Sequence, residues 1–458
     1  MDRLKRKIAA LMTAEDDVGV LLADVQTGEV VVFELGATGE KLGSVTARAD
    51  IPFGHKIARA DFPAGAKLSK YGQSFGQTKK DIYAGDHVHT HNLGSLGADK
   101  HGTEETEKKR TWPAAWLKDA IRMVAAAGGC SDSAAEHLAD HITEAHLRGV
   151  ETHGLGRLES YLSRIASGGM NGRATPVFKG NHGLLMVDGQ NGVGHHVSVL
   201  AADAVVEAAA EYGVAVALVR NSNHFGFAGY YATRIAARGQ VGLAGSNGQV
   251  CLAPPGGLRP IFSNNPLAVA APIGKDAYME FDMATSVVSR AKIAEAAAKG
   301  VPLPPGWAVD EAGRDTRDAT AALQGSLLPF GGQKGFALVF ALEVLIGVLS
   351  GGAYADLVSS KETAPDVPEK VSHFFLAVDL RHSLGAEPFV QRLQDLIRRV
   401  VDLPLGPGVA PLRYPGQRRW ALRRERLRQG IPLEDRHYQN LIELARMLDV
   451  KLEKRPFK

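Results

Sequence analysis

The run Val214-Ala-Val-Ala-Leu-Val219 constrains the fold more than any other stretch. Six apolar residues, rich in valine and without alternation, read as a central strand of a sheet covered on both faces. Strands of that kind belong to layered α/β architectures, where ligands collect at the carboxyl ends of the strands. The run is followed by Asn221-Ser-Asn-His224-Phe-Gly-Phe-Ala-Gly-Tyr230, an amide-rich turn that sets His224 at such an end. His224 is therefore a candidate proton carrier, and a histidine that only caps the turn is the alternative these residues leave open.

The remaining composition bounds the function. At 458 residues the chain is too long for one ordinary core, so at least two domains are expected. With 22% charged residues and a net charge of +3, it reads as a soluble globular protein and not as a nucleic-acid binder or a disordered chain. Cys130 and Cys251 stand far apart and outside metal-type spacing, which argues for a reducing, cytoplasmic setting and against a disulfide or zinc framework. The basic start, Arg3 to Lys7, leads into too few apolar residues for a signal peptide. The longest apolar stretch, Phe336 to Val348, is interrupted by Glu343 and too short to span a bilayer; it is expected as a buried helix of a large core. No membrane partner is expected.

From Asp17 to Asn92 short strands alternate with turn signals: Val18 to Leu22, Val30 to Phe33, and the neighbourhoods of Ile57 and Val88. Leu93 to Arg110 is polar and cannot bury enough apolar area to fold. The expected domains are thus a small, mainly β domain over 1–94, a linker over 95–111 and a larger domain over 112–458. The larger one opens with amphipathic helices, Ala114 to Ala127 and Ser131 to Arg148, then alternates helix and strand, and ends in a basic helical segment.

Within that domain, Glu151-Thr-His153-Gly-Leu-Gly-Arg157-Leu-Glu-Ser-Tyr161 puts His153, Arg157 and Tyr161 on one face if the segment is a continuous helix. Arg157 supplies a planar fork for a carboxylate, and the imidazole and phenol can orient a neighbouring hydroxyl; a solvated helix end is the alternative. Asp282, in Phe281-Asp-Met-Ala-Thr-Ser286, can orient an imidazole, bind a ribose hydroxyl or cap a helix. Gly331-Gly-Gln-Lys334-Gly335 precedes an apolar helix, so backbone N–H groups and Lys334 can meet a phosphate, unless the glycines only make a turn. No Gly-x-Gly-x-x-Gly follows a strand, and no P-loop, Gly-x-Ser-x-Gly or His-Glu-x-x-His motif occurs.

Taken in order, Thr152-His-Gly-x-x-Arg157, Asn223-His-Phe-Gly226, Ala253-Pro-Pro-Gly-Gly257, Asn265-Pro-Leu-Ala268, Asp282-Met-Ala-Thr-Ser286, Trp307-Ala-Val-Asp310, Gly332-Gln-Lys-Gly335 and Pro415-Gly416 closely resemble the malate/L-lactate dehydrogenase family that lacks a Rossmann fold. The resemblance runs from Trp112 onward. It implies an α/β, non-Rossmann NAD(P)-binding fold with helical additions, working as a homodimer or higher homo-oligomer on a small anionic 2-hydroxy or 2-oxo acid. By the same resemblance His224 is the proton acceptor, and His153 and Arg157 surround the substrate carboxylate. Gly248, Asp282, Met283, Ala284 and Lys334 then meet NAD or NADP. Two departures stand out: Ser263-Asn264-Asn265-Pro266 replaces the frequent Gly-Thr-Asn-Pro, and Gly248 stands where a Ser is frequent.

The amino-terminal part, through Ile51-Pro-Phe-Gly-His55 and Gly85-Asp-His87-Val-His89-Thr-His91-Asn92, resembles the SAF domain of altronate and galactarate dehydratases. If these residues form one strand, His87, His89 and His91 share a face, and with His55 they can bind a metal or a sugar-acid anion or simply make a polar strand face. The fusion implies an alternative activity, in which the chain is a component of an altronate/galactarate-type dehydratase or sulfolactate lyase and acts through the SAF domain with a large-subunit partner.

Overall fold

The computed structural model describes residues 7–11, 13–35, 39–70, 73–89, 91–94, 110–360, 363–406 and 409–453. The chain forms two compact units, Met1–Lys108 and Lys109–Lys458. Nearly all of the expected linker (95–109), and the basic start before Lys7, lie outside the described residues.

The first unit is built of strands. Lys41–Thr46, Val30–Leu35, Lys7–Leu11, Val18–Leu21, Lys56–Ala58 and His87–Val88 lie side by side in that order, and Lys67–Lys70, Gln73–Thr78 and Leu93–Gly94 form a second small sheet. Side-chain alternation explains the core: Val31 and Phe33 point inward with Leu11, Leu21 and Ile57, whereas Val30 on the other face is exposed.

The second unit opens with α1 (Ala114–Ala127) and α2 (Asp132–Leu147), at the positions their apolar periodicity demands. The Ser131 hydroxyl caps α2 by accepting from the Ala134 N–H at 3.3 Å. They pack with α3 (Leu158–Ala166) in one cluster that includes Trp112, Leu117, Leu138 and Leu162.

The main sheet holds seven strands: β1 (Val177–Asn181), β2 (Leu184–Asp188), β3 (Val214–Ser222), β4 (Gln240–Ser246), β5 (Leu267–Gly274), β6 (Ala277–Met283) and β7 (Val371–Asp379). Their spatial order is β1-β2-β3-β7-β4-β5-β6. Only β2 and β3 are parallel; α4 (Gly194–Tyr212) makes the crossover that a parallel pair requires, and every other neighbour is antiparallel. Ala215, Ala217 and Val219 of β3 join α4 and α5 (Ala228–Ala236) in the largest core cluster. On β4 the alternation is explicit: a side chain at Gly242 would meet Ile235 of α5, and one at Gly245 would meet Ile346 on the opposite face. β3 is less enclosed than its composition suggests, because Val214 is exposed and Val216 half-buried at the end remote from His224.

The stretch from Phe336 to Val348 departs from expectation. It is a helix over Gln333–Glu343 continued by a π-turn over Val344–Val348, but only one face of it is buried, through Val339, Leu342 and Ile346. Phe340 (54% exposed), Val344, Leu345 and Val348 face outward, while the charged Glu343 points in. The reason is polar satisfaction: the Glu343 carboxylate accepts from Asn247, Asn265 and the Ala355 N–H, donors that an apolar residue would leave unpaired. Among the described residues no helix is long and apolar enough to cross a membrane.

Candidate active site

The site begins where β3 leaves the sheet. Pairing with β7 runs to Val219 opposite His373 and resumes only at Ser222 opposite Val371, so the strand bulges. Asn221 takes a φ of +53°, a region that asparagine tolerates better than most residues. Such a bulge bends the strand and re-aims the chain beyond it, here the segment carrying His224 into α5. At Gly226, φ is +84° and an added Cβ would stand 2.0 Å from the His141 ring, so only glycine fits this turn.

Buried polar groups pin the segment. Asn223 donates to the carbonyls of Asn191 (3.0 Å) and Gly192 (2.8 Å), and its oxygen accepts from Arg164 of α3 at 3.0 Å. Arg164 pairs with Glu369 at 2.9 Å, both side chains only 3% exposed. The same Glu369 oxygen accepts the backbone N–H of His224 at 2.9 Å. A charged acceptor in a low-dielectric setting makes this the strongest restraint on the histidine's backbone.

The His224 ring is held as well. Its Nδ1 lies 2.8 Å from the Tyr161 hydroxyl, with the Gly226 N–H at 3.4 Å. Burial pushes the Tyr161 phenol well above its usual range against the opposing charge of Arg157, so the hydroxyl keeps its proton. His153 lies parallel to His224, with centroids 5.7 Å apart. His195 packs edge-on to Tyr161 at 5.0 Å and lies 6.5 Å from His224. Burial, helped by His153 and His373, lowers His195 to about 3, so it is a neutral wall at physiological pH. Neither of its ring nitrogens has a partner among the described residues.

His224, His153 and Tyr161 are therefore brought together, but not by the expected continuous helix. Glu151–His153 and Leu155–Arg157 are two separate 3-10 turns broken at Gly154, and α3 starts only at Leu158. The close approach of His146, whose Nε2 accepts the Leu155 N–H at 2.9 Å, enforces the break, because a Cβ at Gly154 would stand 2.5 Å from that nitrogen. Tyr161 is buried against His224. Arg157 is half-buried and gives its Nε to the Thr152 carbonyl at 2.9 Å, which orients the guanidinium.

The other expected residues lie on other elements. Asp282 is in the body of β6 and caps no helix; its carboxylate accepts from Arg419 at 3.0 Å, beside Glu280, which Arg419 and Arg148 also engage. Met283 ends that strand, and Ala284 follows it. Lys334 is exposed on the first turn of Gln333–Glu343, after Gly331 and Gly332, whose φ values are +62° and +60°. Gly248 and Ser263, the two departures from the family pattern, face one another: a Cβ at 248 would stand 3.2 Å from the Ser263 hydroxyl.

Arg164, Asn223, Glu369 and His195 escaped the sequence reading. Asn223 sits inside a recognised motif, and Arg164 is one turn beyond Tyr161 on α3, so both carried a local signal. Glu369 is 145 residues from the backbone it holds and carried none.

In the first unit His55 and His87 come together across paired strands, Ile57 standing opposite His87. The expected single strand through His91 stops at Val88. Asn92 closes a turn instead, its side chain accepting the His89 N–H at 2.9 Å and donating to the His87 carbonyl at 2.9 Å, and this turn directs His89 and His91 toward the other two rings. Burial, then the charges of His55, His89, His91 and Lys56, lowers His87 to about 4.

The family model described as malate/L-lactate dehydrogenase matches residues 112–442, and the altronate/galactarate dehydratase SAF domain model matches residues 8–96. Malate dehydrogenase of Pyrococcus abyssi is 34% identical over 332 residues, 70% of this chain and 91% of that protein. The structure of malate dehydrogenase from Entamoeba histolytica superposes with a TM-score of 0.71 at 26% identity, over 75% of this chain and 99% of that one. Sulfolactate dehydrogenase from Methanocaldococcus jannaschii gives a TM-score of 0.69 at 30% identity, over 75% and 98%.

Proposed function

Because the chain belongs to the malate/L-lactate dehydrogenase family, and is thereby an oxidoreductase, we propose that it interconverts a small 2-hydroxy acid and its 2-oxo acid with NAD or NADP. The observation that carries this reading is the doubly held His224, its backbone on Glu369 and its Nδ1 on Tyr161. In the tautomer that donates its Nδ1–H to the Tyr161 oxygen, Nε2 carries no proton and accepts that of the substrate hydroxyl. Tyr161 and Glu369 fix the ring's position at little reorganisation cost, and help of this kind is worth about 10²- to 10⁴-fold in rate. Arg157 clamps the substrate carboxylate so that the C2 hydroxyl meets His224 and the C2 hydrogen faces the nicotinamide, and His153 lines the same side.

A bound nicotinamide would supply the acceptor for the C2 hydride. The residues fit such a cofactor: the open Gly331-Gly332 turn admits backbone approach, no atom lies within 4 Å of an added Cβ there, and the helix that follows starts at Gln333 with Lys334 beside it. Gly248, Asp282, Met283 and Ala284 are the further proposed contacts. The outward apolar residues Phe340, Val344, Leu345 and Val348 support a homodimer or higher homo-oligomer, which sedimentation equilibrium tests.

The relatives are named for malate and sulfolactate, so a small substrate with a second anionic group is the first choice. The deciding experiment follows reduced-nicotinamide absorbance with both cofactors against malate, lactate, sulfolactate, ureidoglycolate and aldonic acids, using the full chain and His224→Ala. The variant should lose turnover and keep cofactor affinity. Comparable turnover would overturn the role of His224, and water loss from an aldonic acid without any nicotinamide signal would favour the dehydratase reading instead.

A further inference from the structure

The four described histidines of the first unit, His55, His87, His89 and His91, are not among the residues assigned to hydride transfer. We propose that they bind a divalent transition-metal ion of the zinc type, with His55, His87 and His89 as the primary ligands and His91 completing the set. The ring centroids of the first three form a nearly equilateral triangle of 4.9, 5.3 and 5.3 Å. Imidazoles bound tetrahedrally through nitrogens at about 2.0–2.1 Å from a shared ion set neighbouring centroids about 5 Å apart. His91 lies 5.5 Å from His87 and 6.3 Å from His89, on the open side of the triangle.

The scaffold behind the rings is organised before any ion arrives. His87 is fixed by the ladder with Lys56–Ala58, His55 immediately precedes that strand, and His89 is fixed by the Asn92 turn, which the Asn92 N–H to His89 carbonyl bond at 3.0 Å also closes. Packing alone accounts poorly for the gathering, because His55, His87 and His89 are only half-buried and His91 is exposed, so little apolar area is removed from water. Nitrogen donors without a carboxylate among them suit zinc, copper, nickel or iron better than magnesium or calcium.

Closing the site needs local movement. Among the described residues no three donors already enclose a common point, and His55 Nδ1 sits 2.8 Å from His87 Nε2, a distance that requires a proton between them. Entry of the ion moves that proton to the other nitrogen of its ring or releases it to solvent. The rings then rotate about χ2, a broad and soft torsion.

The test uses the full chain, stripped with a chelator, dialysed and titrated with Co²⁺ while the visible absorption of bound cobalt is followed; Zn²⁺ is then added as competitor. One saturable equivalent, displaced by Zn²⁺, is expected. The double variant His87→Ala/His89→Ala should lose it, with folding checked by circular dichroism. His89→Gln, which keeps the bulk of the side chain, should weaken it at least tenfold if the double variant fails to fold. His182→Ala, remote in sequence and exposed, should bind as the parent does. No saturable equivalent, an equivalent unchanged in the His89 variants, or one lost instead in His224→Ala would each overturn the proposal.

Discussion

Glu369→Gln separates what holds the site together from what makes it react. The substitution keeps the shape at 369 and removes the charge, leaving Arg164 buried without its counter-ion. Breaking a buried pair from one side costs about 3–5 kcal/mol, and Arg164 belongs at the lower end because it also donates to the carbonyls of Gly169 (2.8 Å) and Val367 (3.0 Å). At about 2.1 cal/mol/K of unfolding entropy per residue, the larger unit should melt roughly 4–7 °C lower. The same oxygen holds the His224 N–H, and exchanging a charged for a neutral acceptor there forfeits about 1–1.5 kcal/mol, or about tenfold in kcat/KM. Arg164→Met/Glu369→Leu removes both charges. Its melting temperature should recover relative to either single variant, whereas kcat/KM should fall further, about 100-fold, because the His224 backbone N–H then has lost its Glu369 acceptor altogether. Calorimetric melting of the full chain and steady-state rates read the two effects apart. Additive losses of stability in the double variant, or activity near that of the parent in any of the three proteins, would refute the reasoning.

Tyr161→Phe removes the Nδ1 partner without opening a cavity and should lower kcat about fivefold to tenfold with KM little changed; an unchanged kcat would show that the bond is incidental. Arg157→Lys replaces the fork by a point charge, and kcat/KM should drop at least tenfold, mostly through KM, so a change below about threefold removes Arg157 from the carboxylate site. Burial lowers His195 and His373 to about 3 each from the usual 6.5. The unfolded chain therefore takes up protons first: stability is full above pH 6.5 and declines as pH falls toward 3, by roughly 2 kcal/mol per histidine at pH 5. Melting temperatures that stay level between pH 7 and 5 would contradict this. A chain beginning near Arg110 should keep its nicotinamide-linked activity, since every residue assigned to hydride transfer lies in the second unit; a folded but inactive truncation would place part of the site in the first.

What the sequence by itself determined was local and ordered. Periodicity placed α1 and α2, a valine run marked β3, and short motifs at fixed spacing identified the family and put His224 at the strand end. These follow from interactions within a few residues, where side-chain direction and capping are dictated by position in the element. Tertiary structure decided the rest. The bulge at Asn221 arises from pairing with β7, a strand some 150 residues away, and Glu369 becomes the anchor of His224 only because chain closure brings it there. Packing against His146 split the expected helix through His153 and Arg157 into two turns, and the inward demand of Asn247 and Asn265 drew Glu343 into the buried face of an otherwise apolar helix. A buried polar group must find its partner wherever the fold supplies one, and no rule of spacing along the chain records where that is.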